Sequence, residues 1–179
     1  MVRPARAEDA QAIARVHVAT WQAAYRHALP AETLDSIDVN ARERRWKEFL
    51  AGDSATFVGE IDGEIIGFVS VGESRDQAGV GEVFAIYVLP HAWGTGLGTA
   101  LIERGEDELR ARGFTAATLN VLADNPRARR FYERQGWVRG ETFTDRFLGQ
   151  DVELARHRKV LSCTEPDPAG ADASAVEKS

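Results

Sequence analysis

Between His91 and Leu101 the chain reads HAWGTGLGTAL, which sets Gly94, Gly96 and Gly98 at every second position. The preceding stretch, EVFAIYVL at 82–89, is a largely apolar strand pattern that Pro90 ends. The following stretch carries Leu97, Leu101, Gly105 and Leu109 on one face of a helix from about 96 to 112, closed by Gly113. A strand, then side-chain-free residues, then a helix start makes an anion site in physical terms. The first amides of the helix point outward, the helix dipole adds roughly half a positive charge, and glycines let a diphosphate approach. Three readings compete at this point. A dinucleotide fingerprint needs GxGxxG, and the third glycine is missing; a Walker loop needs GxxxxGK[ST], and no lysine is present. A tight strand–helix junction without any ligand is the third.

The surrounding pattern describes one mixed domain. Residues 2–5 suit a short strand, and Ile13, Val16, Thr20, Trp21, Ala24 and Tyr25 fall at helical spacing over about 8–26. Pro30 breaks that helix. A second helical piece occupies the thirties, and a third is expected with Asn40 as its cap, carrying Trp46, Phe49 and Leu50 up to Gly52. ATFVGEI (55–61) and EIIGFVSVG (64–72) flank Asp62-Gly63, a strong hairpin signal. TAATLNVL (115–122) is another strand. Asn125 and Pro126 then suit the cap and first turn of a helix that stops at Gly136, with weaker strands near 137–143 and 151–160. Helices, three strands, helix, strand, helix, strands predict an α+β (mixed α/β) domain over residues 1–161. Residues 162–179 offer little beyond Val176 to bury and are expected to be a disordered tail.

Charge and cysteine content narrow the function classes. The net charge of −6 lacks the basic excess that a nucleic-acid or anionic-membrane binder needs. Half of that charge comes from the tail, where Glu165, Asp167, Asp172 and Glu177 oppose Lys178. The single cysteine, Cys163, rules out an intrachain disulfide and a cysteine metal cluster. His17, His27, His91 and His157 show no ligand spacing, so no metal site is expected. The first residues lack a signal-peptide core and no run spans a membrane, so the expectation is a cytoplasmic chain. The run Arg42, Arg44, Arg45, Lys47, interleaved with Glu43 and Glu48, reads as a solvated helix face.

A second segment gives the glycine loop a context. Asn125-Pro126-Arg127-Ala128-Arg129-Arg130-Phe131-Tyr132-Glu133-Arg134-Gln135-Gly136-Trp137 is similar to the N-x-x-A-x-x-[FL]-Y-x-x-x-G-[FW] segment of the GNAT superfamily of acyl-CoA-dependent N-acetyltransferases. Val88-Leu89-Pro90 followed by WGTGLGTALI resembles that family's pyrophosphate loop, [Q/R]-x-x-G-x-[G/A]. The two lie about thirty residues apart, and the element order extends the resemblance over roughly residues 1–161.

What the resemblance implies can be written residue by residue. The fold would be GNAT-like, a mostly antiparallel central sheet that splays at the acyl-CoA site, with flanking helices. Backbone groups of Ile86 and Val88 would pair with a pantetheine arm. Amides of Gly94, Thr95, Gly96, Leu97, Gly98 and Thr99 would hold the pyrophosphate. Asn125 has two readings, pantetheine contact or helix cap. Tyr132 would be the acid that protonates the departing sulfur, or else a packing aromatic. Glu82 would be the general base, or a solvent-facing strand-edge residue. Trp21 and Tyr25 would line the acceptor pocket, although core packing explains Trp21 as well. Trp93 departs from the family pattern by standing where Gln or Arg is usual, and it fits a lid edge or packing on the neighbouring helix better than a stack on adenine. The implied activity is transfer of an acetyl group from acetyl-CoA to a primary amine by direct attack, with no metal. The alternative is a catalytically silent GNAT-like domain that binds CoA thioesters as a sensor or interaction module. Proteins of this kind are often dimers, which makes a homodimer a further expectation.

Overall fold

The computed structural model describes residues 1–161, so the expected tail lies outside the described residues. Seven strands form one sheet in the order β1-β2-β3-β4-β5-β7-β6. These are β1 (Val2–Pro4), β2 (Ala55–Ile61), β3 (Glu64–Glu73), β4 (Gly81–Val88), β5 (Ala116–Leu122), β6 (Val138–Phe147) and β7 (Gln150–Val160). Every pairing is antiparallel except that of β4 with β5. Five helices flank it: α1 (Ala10–Ala24), α2 (Ala31–Asp35), α3 (Val39–Leu50), α4 (Leu97–Ala111) and α5 (Pro126–Arg134).

Strand alternation divides the sheet between two cores. Phe68 of β3 packs with Ile13, Ala14 and Trp46 under α1 and α3. Its neighbours Val69 and Val71 pack with Leu101, Ile102 and Leu109 under α4. Gly105 permits that second contact, because a Cβ there would stand 2.9 Å from Val71 Cγ1. The Asp62-Gly63 hairpin forms as the sequence predicts, with φ of 51° and 83° at its two corners.

Three local expectations need correction. The first helix begins at Ala10, after a 3-10 turn over Ala7–Asp9, and ends at Ala24. The third is capped by Asp38, whose carboxylate accepts from the Asn40 amide, so Asn40 lies inside the helix. The two weak C-terminal strands are one long hairpin, turned by Leu148 (φ 48°) and Gly149 (φ 78°). A leucine in the left-handed region carries no turn signature, which is why the sequence hid this turn.

The feature that positions the site is an opening in the sheet. Strands β4 and β5 pair only at Gly81–Ala117 and Glu82–Thr118. Beyond that neck they diverge, and a bulge near Phe84 shifts the register of β4 against β3 between Ser70 and Val71.

Candidate active site

The opening holds a cavity of about 610 Å³, within the usual range for small-ligand sites of roughly 300–1,000 Å³. One wall is the free edge of β4. The Leu89 amide donates to Ile66 O on β3 at 2.9 Å, so by alternation the polar groups of Ile86 and Val88 face the opening. An extended ligand meets there what an added strand would meet. One of those groups is already engaged, because Trp93 Nε1 donates to Val88 O at 2.7 Å.

At the wide end the cavity reaches the glycine loop. Gly94 and Gly96 adopt left-handed φ values of 81° and 88°, and a Cβ on either would meet nothing within 4 Å, so the loop is an open cradle. The amides of Gly94, Gly96, Gly98 and Thr99 donate to no protein acceptor among the described residues. Those of Thr95 and Leu97 reach Ala92 O and Thr95 Oγ1 only at 3.5 Å. No carboxylate stands in the first turn of α4 to oppose its dipole. These residues fit a diphosphate. Trp93 lines the cavity here, with the Arg127 guanidinium of α5 3.5 Å over its ring. Arg127 thus brings to the mouth a positive charge of the kind that Trp93 itself cannot supply.

Helix α5 supplies the polar groups between the two ends. Asn125 Oδ1 accepts from the Ala128 amide at 3.1 Å, as a cap does, while the residue also lines the cavity. Its two readings are therefore compatible, the oxygen capping and the amide nitrogen available to a ligand. Tyr132 is only 8% exposed, and burial, with a smaller contribution from Tyr87, pushes its hydroxyl well above the usual tyrosine range. The hydroxyl makes no hydrogen bond among the described residues, and the side chain lines the cavity. Gln135 Nε2 donates to Thr99 Oγ1 at 3.2 Å and ties the end of α5 to the start of α4.

The opposite end lies under α1. Thr20, Tyr25 and Tyr87 line it, whereas Trp21 is buried behind them. Phe147, from the hairpin that the sequence left unread, closes over both aromatics, with centroids 4.5 Å from Trp21 and 5.7 Å from Tyr25. Glu82 stands apart. It sits at the neck of the opening, where its carboxylate accepts from Arg75 Nη2 at 2.9 Å and from the Arg75 amide at 3.2 Å. No carboxylate or imidazole is among the described residues that line the cavity.

Farther along α4 lies a buried charge that sequence reasoning missed. Glu106 of α4 is 2% exposed and accepts from Trp137 Nε1 at 2.9 Å and from Lys159 Nζ at 2.6 Å. The same ammonium donates to Gln135 O at 2.7 Å, so one cluster joins α4, the end of α5 and β7. No group of three or more His, Cys, Asp or Glu converges among the described residues, and no helix there is long and apolar enough to cross a membrane.

Residues 13–137 match the model of the Acetyltransferase (GNAT) family. The chain is 36% identical over 129 residues to the N-acetyltransferase YuaI of Bacillus subtilis, covering 70% of this chain and 73% of that one. It is 45% identical over 86 residues to a mycothiol acetyltransferase of Streptomyces avermitilis, 48% of this chain but only 28% of the longer relative. Among solved structures, a GCN5-related N-acetyltransferase from Rhodopseudomonas palustris superposes with a TM-score of 0.74 at 25% identity, over 90% of this chain and 95% of that one. The PaiA N-acetyltransferase of Thermoplasma acidophilum, solved in complex with coenzyme A, gives a TM-score of 0.73 at 18% identity, over 87% of this chain and 96% of its own, a likeness of fold.

Proposed function

The chain belongs to the GNAT acetyltransferase family and is an acyltransferase; from that premise we propose that it transfers an acetyl group from acetyl-CoA to a primary amine by direct attack. The observation that carries this reading is continuity: the free edge of β4 runs into the unopposed amides of Gly94–Thr99, with the Tyr132 hydroxyl on the same cavity.

Acetyl-CoA, when bound, supplies a carbonyl activated by its thioester. The Ile86 backbone and the Val88 amide are placed to align the pantetheine arm, while Trp93 withholds the Val88 carbonyl. The Gly94–Thr99 amides bind the diphosphate, with Arg127 adding charge beside it. The amine nitrogen attacks the carbonyl carbon, the carbon–sulfur bond breaks, Tyr132 gives its proton to the departing sulfur, and the proton that the nitrogen sheds as the amide forms returns Tyr132 to its neutral state. Burial keeps the Tyr132 hydroxyl protonated at any ordinary pH, so the proton is always present, although it also makes the hydroxyl a weaker acid than an ordinary tyrosine.

An alkyl amine must first lose a proton, which at pH 7 costs about 4.6 kcal/mol for a pKa near 10.4. No carboxylate lines the cavity among the described residues, so Glu82 acts as base only through water, from the neck of the opening. Asn125 contributes its free amide, and Tyr25, backed by Trp21, bounds the acceptor end. Relatives named mycothiol acetyltransferase, matched over only 28% and 39% of their own length, support acetyl transfer as the reaction. Calorimetric titration with acetyl-CoA, followed by a thiol-release screen over an amine panel, tests the proposal. Tight binding with release on at least one amine is expected. Binding without release on any amine would favour the silent sensor, and absence of binding would remove both readings.

A further inference from the structure

A second, smaller hollow of about 260 Å³ opens on the α1–α3 face of the sheet, lined among others by His17, Arg42, Arg45, Trp46, Arg75 and Phe84. Phe84 and Ala85 line both this hollow and the main cavity, so the two meet across the bulged segment of β4. Three guanidiniums bound it, and their partners differ. Arg75 is paired with Glu82 at 2.9 Å. Arg42 and Arg45 have no carboxylate partner among the described residues.

Arg42 is not the solvated residue that its sequence context predicts. It is half-buried with its guanidinium 4.8 Å from the centroid of the Trp21 ring. Burial, together with the neighbouring charge of Arg45, lowers its hold on its proton. An arriving anion would relieve both penalties. A second group points the same way. His17 is 7% exposed, and its Nδ1 accepts from Trp46 Nε1 at 3.1 Å. In neutral imidazole the hydrogen then sits on Nε2, which is a buried donor without an acceptor among the described residues. A buried donor without an acceptor, beside a half-buried guanidinium that has no carboxylate among the described residues, leaves polar groups that an anion would satisfy, and the exposed Arg45 adds charge at the rim.

We infer that the acceptor is an amine bearing a carboxylate, with the amine directed over Phe84 and Ala85 toward Tyr132 and the carboxylate held in this hollow by Arg42 and Arg45. The inference rests on the acetyltransferase reading and names the substrate class of that same site. Arg42 holds the carboxylate from the half-buried side, Arg45 from the exposed side, and Arg75 is neutralised by Glu82. A neutral amine of equal size leaves these charges unmet, so discrimination is set by charge rather than by bulk.

The test uses the full chain with acetyl-CoA and matched pairs of amino acids and their neutral amides. Thiol release gives kcat/KM for each pair, and the Nε–H resonances of Arg42 and Arg45 report binding independently of turnover. The acid of at least one pair is expected to exceed its amide by ten-fold or more in kcat/KM and to shift both arginine resonances. Arg42→Gln and Arg45→Gln should each lower kcat/KM for that acid by ten-fold or more, chiefly through KM, with a several-fold smaller effect on the amide. Equal loss for acid and amide would reduce Arg42 to a packing residue and overturn the proposal. So would acids that perturb neither resonance, or transfer to neutral amines with no preference for acids. In that last case acetyl transfer itself stands, whereas failure to bind acetyl-CoA strikes the underlying function instead.

Discussion

On the α4–α5 side the cavity is walled by backbone: the free edge of β4, the amides of Gly94–Thr99 and a capped helix start at Asn125. On the α1–α3 side its walls are side chains, with Tyr25, Tyr87 and Phe147 crowding one end and, nearby, Arg42 and His17 Nε2 without a partner among the described residues. A backbone site recognises what every substrate of the reaction shares, a diphosphate and an extended arm. A side-chain site recognises what distinguishes one acceptor from another. The first kind leaves a signature in the chain because conformation demands particular residues. The second is assembled from α1, α3 and the β6–β7 hairpin, segments that no local spacing connects.

The contrast breaks first if the backbone wall turns out not to depend on the cluster behind it. Glu106→Ala removes the partner of the buried Trp137 N–H and the shared partner of the part-buried Lys159 ammonium and Arg110 guanidinium, and stability should fall by about 2–4 kcal/mol in urea denaturation. Adding Lys159→Met should restore part of it, since one stranded charge is then gone and Arg110 keeps its pairing with Asp107. Full stability of Glu106→Ala alone would mean that the cluster holds nothing.

Next in size is Tyr132→Phe, which keeps the ring and removes only the hydroxyl. It should lower kcat by about ten- to a thousand-fold while acetyl-CoA affinity stays within a few-fold. Burial raises the hydroxyl so far that its ionisation contributes no alkaline limb to the rate profile. An alkaline limb that vanishes in the variant would contradict that assignment, and full kcat would return Tyr132 to packing.

Gly96→Val sharpens the comparison because it addresses conformation. A Cβ there meets open space, so the fold should survive, but φ of 88° is strained for a β-branched residue. Acetyl-CoA should bind about ten- to a hundred-fold more weakly by calorimetry, as the loop relaxes and a methyl pair enters the diphosphate's space. Unchanged affinity would sink the loop as the diphosphate site.

These outcomes bear on what could be read without a structure. The order of elements was legible because hydrophobic period switches cleanly at Ala55 and again at Leu97. The glycine loop and the Asn125 cap were legible because left-handed φ and helix capping each favour few residue types. Asp38 was misread because Asn40, two residues on, is an equally good capping type. Glu106 was illegible because a buried acid and an exposed one look alike on a helix: its pairing with Arg110 four residues on is the usual surface pattern, while Trp137 and Lys159 lie 31 and 53 positions away. Arg42 was read as solvated for the same reason. Its charge pattern with Glu43 and Arg45 describes a surface, and only the packing of α3 on α1 turns it inward.

The side-chain wall makes its own prediction with pH. Burial drives His17 down to about 3, against an ordinary value near 6.5. The folded state therefore favours the neutral ring. Its contribution is complete above about 6.5 and is lost as pH falls from there toward 3, amounting to at most about 2 kcal/mol by pH 5. His17→Gln keeps an acceptor for Trp46 but does not titrate, so the gap in melting temperature between pH 7.5 and pH 5 should narrow in the variant. An unchanged gap would assign the acid loss elsewhere, with His157, also lowered by burial, the first alternative.

The smallest effect concerns the one side chain that intrudes on the backbone wall. Trp93 Nε1 occupies the Val88 carbonyl, and the Trp93 ring carries the Arg127 guanidinium. Trp93→Phe separates the two roles, because a phenyl ring still offers Arg127 a face while the N–H is lost. The freed carbonyl lies on an open edge where water satisfies it, so stability should change by less than about 1 kcal/mol. A carbonyl no longer shared can accept fully from an extended ligand, and acetyl-CoA affinity should rise by about two- to five-fold, the scale of one modest neutral hydrogen bond. Trp93→Arg supplies a charge at the same point but sets it beside Arg127, so its gain should be no larger and should shrink as salt rises. If Trp93→Phe instead weakens binding ten-fold, the indole is a ligand contact in its own right, and the backbone wall has a side chain at its centre.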